Sequence, residues 1–117
     1  MKGEARLQSD CVAWFDRQYP ALSPLLFAVP NGGSRNKIEA ANLKRQGVKP
    51  GVADLILLFP RQGHGALLIE MKYGKGRQRD TQKTWQQTAE AAGYLYIICR
   101  TPEEFKREVN QYLGIDS

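Results

Sequence analysis

The sequence predicts an α/β fold, a four-stranded mixed sheet flanked by helices, on three observations. Val52 to Phe59 and Gly65 to Lys72 are apolar runs separated by the polar, glycine-bearing Arg61-Gln62-Gly63-His64, so they read as an antiparallel hairpin. Tyr94 to Cys99 is a further buried strand, and Leu25 to Val29 a short one ending in Pro30. Around them, apolar residues recur at helical spacing, giving the order helix, strand, helix, hairpin, helix, strand, helix.

Taken in chain order, residues 4 to 18 place Leu7, Cys11, Trp14 and Phe15 on one stripe of an amphipathic helix that Pro20 helps to end, with Glu4 and Gln8 on another stripe. After the turn-forming Pro30-Asn31-Gly32-Gly33, Ser34 reads as the N-cap of a basic, weakly apolar helix running to about Gln46, with Gly47 beyond it. Pro50-Gly51 opens the hairpin, and Tyr73-Gly74-Lys75-Gly76-Arg77-Gln78-Arg79 leaves it as a flexible basic loop. Asp80 or Thr81 begins a third helix with Trp85, Ala89 and Ala92 on one stripe and Gly93 as its stop. Thr101-Pro102-Glu103-Glu104 is a capping box with proline at the first helical position, opening a last helix whose stripe is Phe105, Val109, Tyr112 and Leu113.

The chemistry concentrates on the hairpin. With its turn centred on Gln62, paired residue numbers sum to 124 and Asp54 lies across from Glu70, where opposed Cβ atoms stand roughly 4.5 to 5.5 Å apart, close enough to share a divalent cation. Side chains alternate along a strand, so Lys72 points to the same face as Glu70 and Met71 points away. A slip of one residue would turn Asp54 to the opposite face. Apolar residues on both faces of the strands predict central, buried positions, where two adjacent carboxylates repel and lose hydration unless a cation or Lys72 neutralises them. The bland reading is a buried ion pair of Lys72 with Glu70 or Asp54 and no chemistry.

The length of 117 residues predicts one domain, 1–117, with 42% hydrophobic content to form a modest core. No run approaches the roughly 20 apolar residues of a membrane span, and the first residues lack the apolar run of a signal peptide, so a cytoplasmic protein is predicted. Cys11 and Cys99 fall on core-facing positions and read as reduced thiols. With His64 the single histidine and no Cys/His cluster, a zinc site is excluded and any metal is held by oxygen, which selects Mg²⁺ or Mn²⁺. Net charge is +5, unevenly placed: residues 1 to 34 balance, residues 35 to 83 carry eleven basic and four acidic side chains, and residues 84 to 117 carry three and five. The basic excess surrounds the acidic pair and suits a polyanion such as DNA. Arg35, Lys75, Arg77, Arg79 and Lys83 are the candidates for phosphate contacts.

Glu4 with Gln8, Val29-Pro30-Asn31-Gly32-Gly33 with Arg35, Gly47 to Asp54, Glu70-Met71-Lys72, and Gln82 with Trp85 together resemble the virus-type replication-repair nuclease (VRR-NUC) domain family of the PD-(D/E)xK nuclease superfamily, over nearly the whole chain. The resemblance implies a restriction-endonuclease-like core and a Mg²⁺- or Mn²⁺-dependent endodeoxyribonuclease without an organic cofactor. It implies Asp54, Glu70 and the Met71 carbonyl as metal ligands, Glu4 closing the site directly or through water, Lys72 positioning the attacking water, and Gln82 aligning Lys72 or the scissile phosphate. It further implies a homodimer acting on branched or junction DNA in phage or bacterial replication and repair. Two departures stand out: Ala53 where the family often has proline, and Arg79 where it has serine or threonine three residues before the glutamine.

Two alternatives accompany that reading. The chain could be a nucleic-acid-binding module of a repair assembly without turnover, or a restriction-type nuclease with sequence specificity, although 117 residues leave little room for a base-reading element. Residue by residue, Glu4 would also suit a helix N-terminus through the dipole, Gln82 would suit a solvated first turn, Trp14 and Trp85 suit the core, and His64 suits an exposed turn.

Overall fold

The computed structural model describes residues 2–30 and 36–114. Its elements are α1 (Gly3–Gln18), β1 (Leu26–Ala28), α2 (Lys37–Arg45), β2 (Leu55–Leu57), β3 (Leu67–Met71), α3 (Asp80–Ala91), β4 (Leu95–Cys99) and α4 (Pro102–Leu113), with a short 3-10 turn at Ser23–Leu25 that the sequence did not announce. The sheet order is β1-β2-β3-β4; the first two pairings are antiparallel and β3 with β4 is parallel. The predicted order of elements and the four-stranded mixed sheet are therefore what forms.

The two sheet faces carry different cores. On one, Leu55, Leu57, Leu67, Ile69, Met71 and Cys99 pack with Leu7, Cys11 and Phe15 of α1 and Phe105, Val109, Tyr112 and Leu113 of α4. On the other, Ile56, Leu68 and Tyr96 meet Trp85 and Ala89 of α3. All five residues of β3 are buried, the mark of a central strand covered on both faces. The apolar helix stripes are the ones their spacing predicts, except that Trp14 and Trp85 are only partly buried, Trp14 set edge-on to Tyr19 and Phe105 at 6.0 Å, and Ala92 is exposed at the C-cap of α3. Cys11 and Cys99 are free and buried, as expected.

The hairpin reaches its predicted register by an unpredicted route. Leu55 pairs with Ile69 and Leu57 with Leu67, so the numbers sum to 124. The turn, however, closes between Arg61 and His64, with Gln62 and Gly63 both at positive φ, 51° and 80°, the combination of a type I′ turn. The extra residue is absorbed before Pro60, where Phe59 N–H donates to the Leu57 carbonyl 3.0 Å away in a three-residue turn. This shortens β2, leaves Leu58 exposed against the expectation of burial on both faces, and leaves His64 half-buried where an exposed turn residue was predicted. Gln62 Nε2 donates to the carbonyls of Gln111 and Tyr112, tying the tip to the end of α4 and satisfying acceptors a helix terminus leaves open.

The predicted Thr101 cap of α4 forms, with the return bond of Glu104 falling one residue before the cap residue, while the predicted cap of α2 is not the one observed. Thr101 Oγ1 accepts from Glu104 N–H at 3.1 Å, and Glu104 Oε1 reaches back to Arg100 N–H at 2.7 Å. The cap of α2 is Asn36, whose side chain accepts from the N–H groups of Ile38 and Glu39; Ser34 and Arg35 lie outside the described residues. No side chain of α2 is buried, consistent with its weak apolar pattern.

Candidate active site

Asp54 is the bend residue immediately before β2. Its own carbonyl accepts from Val29 N–H at 2.9 Å, while its side chain accepts the Met71 N–H at 2.6 Å. A carboxylate thus takes a donor from β3 beside the end of the β2 ladder, which holds it next to Glu70. Burial pushes the Asp54 carboxyl above the ordinary carboxylate range; repulsion from Glu70 adds to this, while the Met71 hydrogen bond, Lys72 and Arg79 oppose it.

Glu70 has no exposed surface, Lys72 is 7% exposed and Gln82 is 4% exposed, the only buried polar or charged side chains among the described residues. Lys72 Nζ lies 3.4 Å from Glu70 Oε2 and donates to Gln82 Oε1 at 3.0 Å. Gln82 Oε1 also accepts Arg79 N–H at 2.7 Å, so the glutamine ties the lysine to the first turn of α3. Arg79 is the N-cap of that helix. An arginine side chain has no acceptor and cannot cap as serine or threonine would, so Gln82 makes the local bond that remains.

Two residues that sequence reasoning missed complete the surroundings of Glu70. Tyr96 O–H donates to Glu70 Oε1 at 2.5 Å, and Gln78 Nε2 donates to the same oxygen at 2.8 Å. Desolvation first, and then the bond to Glu70, hold the Tyr96 hydroxyl well above its ordinary range, so it remains a donor. A signal for Tyr96 was present: a tyrosine inside an apolar strand requires a partner for its hydroxyl. For Gln78, one polar residue in a polar loop, there was none.

Of the remaining candidates, Glu4 and Arg79 act electrostatically on this cluster. Glu4, in the exposed first turn of α1, feels Asp54, Lys72, Arg79 and Glu70; desolvation first, and then Asp54, raise its carboxyl above the ordinary range. Glu4 and Gln8 line the same open groove along α1 with Val12 and Asp16. Lys75, Arg77, Arg79 and Lys83 are exposed. The basic loop is anchored from β4: Arg100 donates to the carbonyls of Gly74 at 3.0 Å and Gly76 at 2.7 Å.

The donor set suits a hard cation. Asp54, Glu70 and the Met71 carbonyl offer oxygen only, and Glu70 Oε2 is buried with no hydrogen-bond partner. Among the described residues no group of three His, Cys, Asp or Glu side chains converges. Two carboxylates fit Mg²⁺ or Mn²⁺ chemistry better than a cage would, because Mg²⁺ keeps several waters and takes one or two carboxylates.

The fold is that of a nuclease-type domain. The chain belongs to the VRR-NUC domain family, whose model matches residues 2–102. It is also similar to a solved VRR_NUC domain protein, at 26% sequence identity and a TM-score of 0.83 over 99% of this chain and 93% of that one. No curated protein matches it significantly. Among the described residues no helix is long and apolar enough to cross a membrane.

Proposed function

We propose that the domain is a Mg²⁺- or Mn²⁺-dependent DNA endonuclease that hydrolyses phosphodiester bonds in branched or junction DNA, as a homodimer in phage or bacterial replication and repair. The observation that carries the reading is the position of Lys72 Nζ, held by Gln82 at 3.0 Å and 3.4 Å from Glu70, on the strand end beside Asp54. A solvated surface lysine would not be fixed in this way, and a purely structural ion pair would be no stronger than an apolar replacement.

In this reading Asp54, Glu70 and the Met71 carbonyl would hold the cation, with Glu4 closing the set through water. The chemistry a bound cation supplies is a polarised phosphoryl oxygen, an activated water and charge relief at the leaving oxygen. Lys72 holds the attacking water with the donors not used by Gln82, and Gln82 keeps the ammonium from swinging into solvent. Arg35, Lys75, Arg77, Arg79 and Lys83 bind phosphates along the strand. The basic excess of residues 35 to 83 supports this path. A dimer would set two such sites for paired cuts across a symmetric junction.

The test is cleavage of matched four-way junction, flap, single-stranded and linear duplex DNA in Mg²⁺, in Mn²⁺ and in chelator, comparing the unmodified chain with Asp54→Ala. Metal-dependent cutting of branched DNA that the variant lacks is the expected result. Tight binding with no cutting in any metal would replace it with the binding-module reading.

A further inference from the structure

The two oxygens of Glu70 have different surroundings. Oε1 receives two donors, the Tyr96 hydroxyl at 2.5 Å and the Gln78 amide at 2.8 Å, and these fill its two acceptor positions. Oε2 has no hydrogen-bond partner and faces Lys72 Nζ at 3.4 Å. Turning the carboxylate about its last bond would break both hydrogen bonds inside a site with no exposed surface, so its orientation is set.

Each donor is itself held. Tyr96 is buried in β4 beside Leu68 of β3, with its ring 6.2 Å from that of Trp85. Gln78 also donates to Gln86 Oε1 at 2.7 Å, and Gln86 Nε2 donates to Glu90 Oε2 at 3.3 Å. Both acceptors of Gln78 demand its amide nitrogen, so the side chain has one consistent orientation.

We propose that Tyr96 and Gln78 are positioning residues of the site: they grip Glu70 by Oε1 and present Oε2, the oxygen nearest Lys72, as the one a cation can share. The proposal rests on the nuclease reading. Neither side chain touches substrate in it. Their bonds instead decide which carboxylate oxygen is offered, as the outer partners of metal-bound carboxylates do elsewhere.

The experiment measures Mn²⁺ affinity by calorimetric titration of the full chain without DNA, for the unmodified protein, Asp54→Ala, Tyr96→Phe and Gln78→Met, with far-UV circular dichroism as the check on folding. Tyr96→Phe keeps the ring and its packing, and Gln78→Met keeps the length of a side chain in a loop. The expected result is Mn²⁺ binding that Asp54→Ala removes and that the other two variants weaken by about tenfold or more at unchanged dichroism. The Mn²⁺ concentration for half-maximal cleavage should rise by the same factor. Should Tyr96→Phe misfold, Gln78→Met alone decides the matter. Unmodified Mn²⁺ affinity in the folded variants would overturn the positioning role and leave the nuclease reading intact, even if melting temperatures fell. Absence of Mn²⁺ binding by the unmodified protein would overturn both.

Discussion

Gly51 and Thr81 meet backbone to backbone: a Cβ built on Gly51 would lie 2.1 Å from the Thr81 carbonyl oxygen and 2.9 Å from Gln82 N. This contact joins the segment that carries Asp54 to the helical turn that carries Gln82, and so sets the distance between the two sides of the site. Gly51 also has φ +78°, where side chains are strained.

Gly51→Ala should therefore disturb both stability and chemistry. The left-handed backbone alone costs about 1–3 kcal/mol, and the clash forces the two segments apart. Gly47 is the control, with φ +105° and open space around it, so Gly47→Ala bears the strain without the clash. Denaturant titration should show the larger loss for Gly51→Ala, and its turnover should fall by about 100-fold, the scale of a misplacement near 1 Å, while Gly47→Ala keeps its activity. Equal behaviour of the two variants would mean that the contact does not set the site.

Lys72→Met removes the one cation that, among the described residues, pairs with a carboxylate of no exposed surface. Breaking a buried pair from one side costs about 3–5 kcal/mol, and that loss should appear in chelator. Mn²⁺ should restore part of it by taking over the neutralising role. Cleavage should drop more than DNA affinity, because the basic patch is untouched. A variant that lost only affinity would make Lys72 a phosphate clamp.

Stability should depend on pH with a defined sign. The carboxyls of Asp54 and Glu4 are both raised in the folded chain, by desolvation first. Their favourable contribution is complete below the ordinary carboxylate value of about 4 and is lost as pH rises through the raised folded values. Denaturation midpoints measured in chelator should show this loss over the acid range, and Asp54→Asn should reduce it. Mn²⁺ should reduce it as well, since a bound cation favours the ionised form. A Mn²⁺-independent slope would argue against a cation at Asp54.

Arg77→Ala with Arg79→Ala removes two exposed charges from the anchored loop. DNA binding should weaken, and the slope of log affinity against log salt should shrink by about two phosphate contacts' worth. An unchanged slope would move the DNA path away from this loop.

How much of this was legible in the sequence varies by element. The order of elements was readable because periods of two and 3.6 are local, and the hairpin register of 124 was read from a turn centred on Gln62; any even sum keeps Asp54, Glu70 and Lys72 on one face with Leu55, Leu57, Leu67 and Ile69 on the other. The Thr101 cap was readable because it is local. The turn at Gln62-Gly63 was misplaced by half a residue, since a three-residue turn near Pro60 cancels the offset and leaves no mark in composition.

By itself the sequence determined the strand and helix order, the faces on which Asp54, Glu70 and Lys72 group, and the basic excess of residues 35 to 83, because periodicity and charge are local properties of the chain. Tertiary structure decided the rest. Tyr96 reaches Glu70 only because β4 lies parallel to β3, Gln78 only because its loop turns back toward the strand, and Gly51 matters only because α3 begins against it. Such contacts join residues far apart in the chain, and hydrogen bonding and close packing select them only after the sheet has assembled.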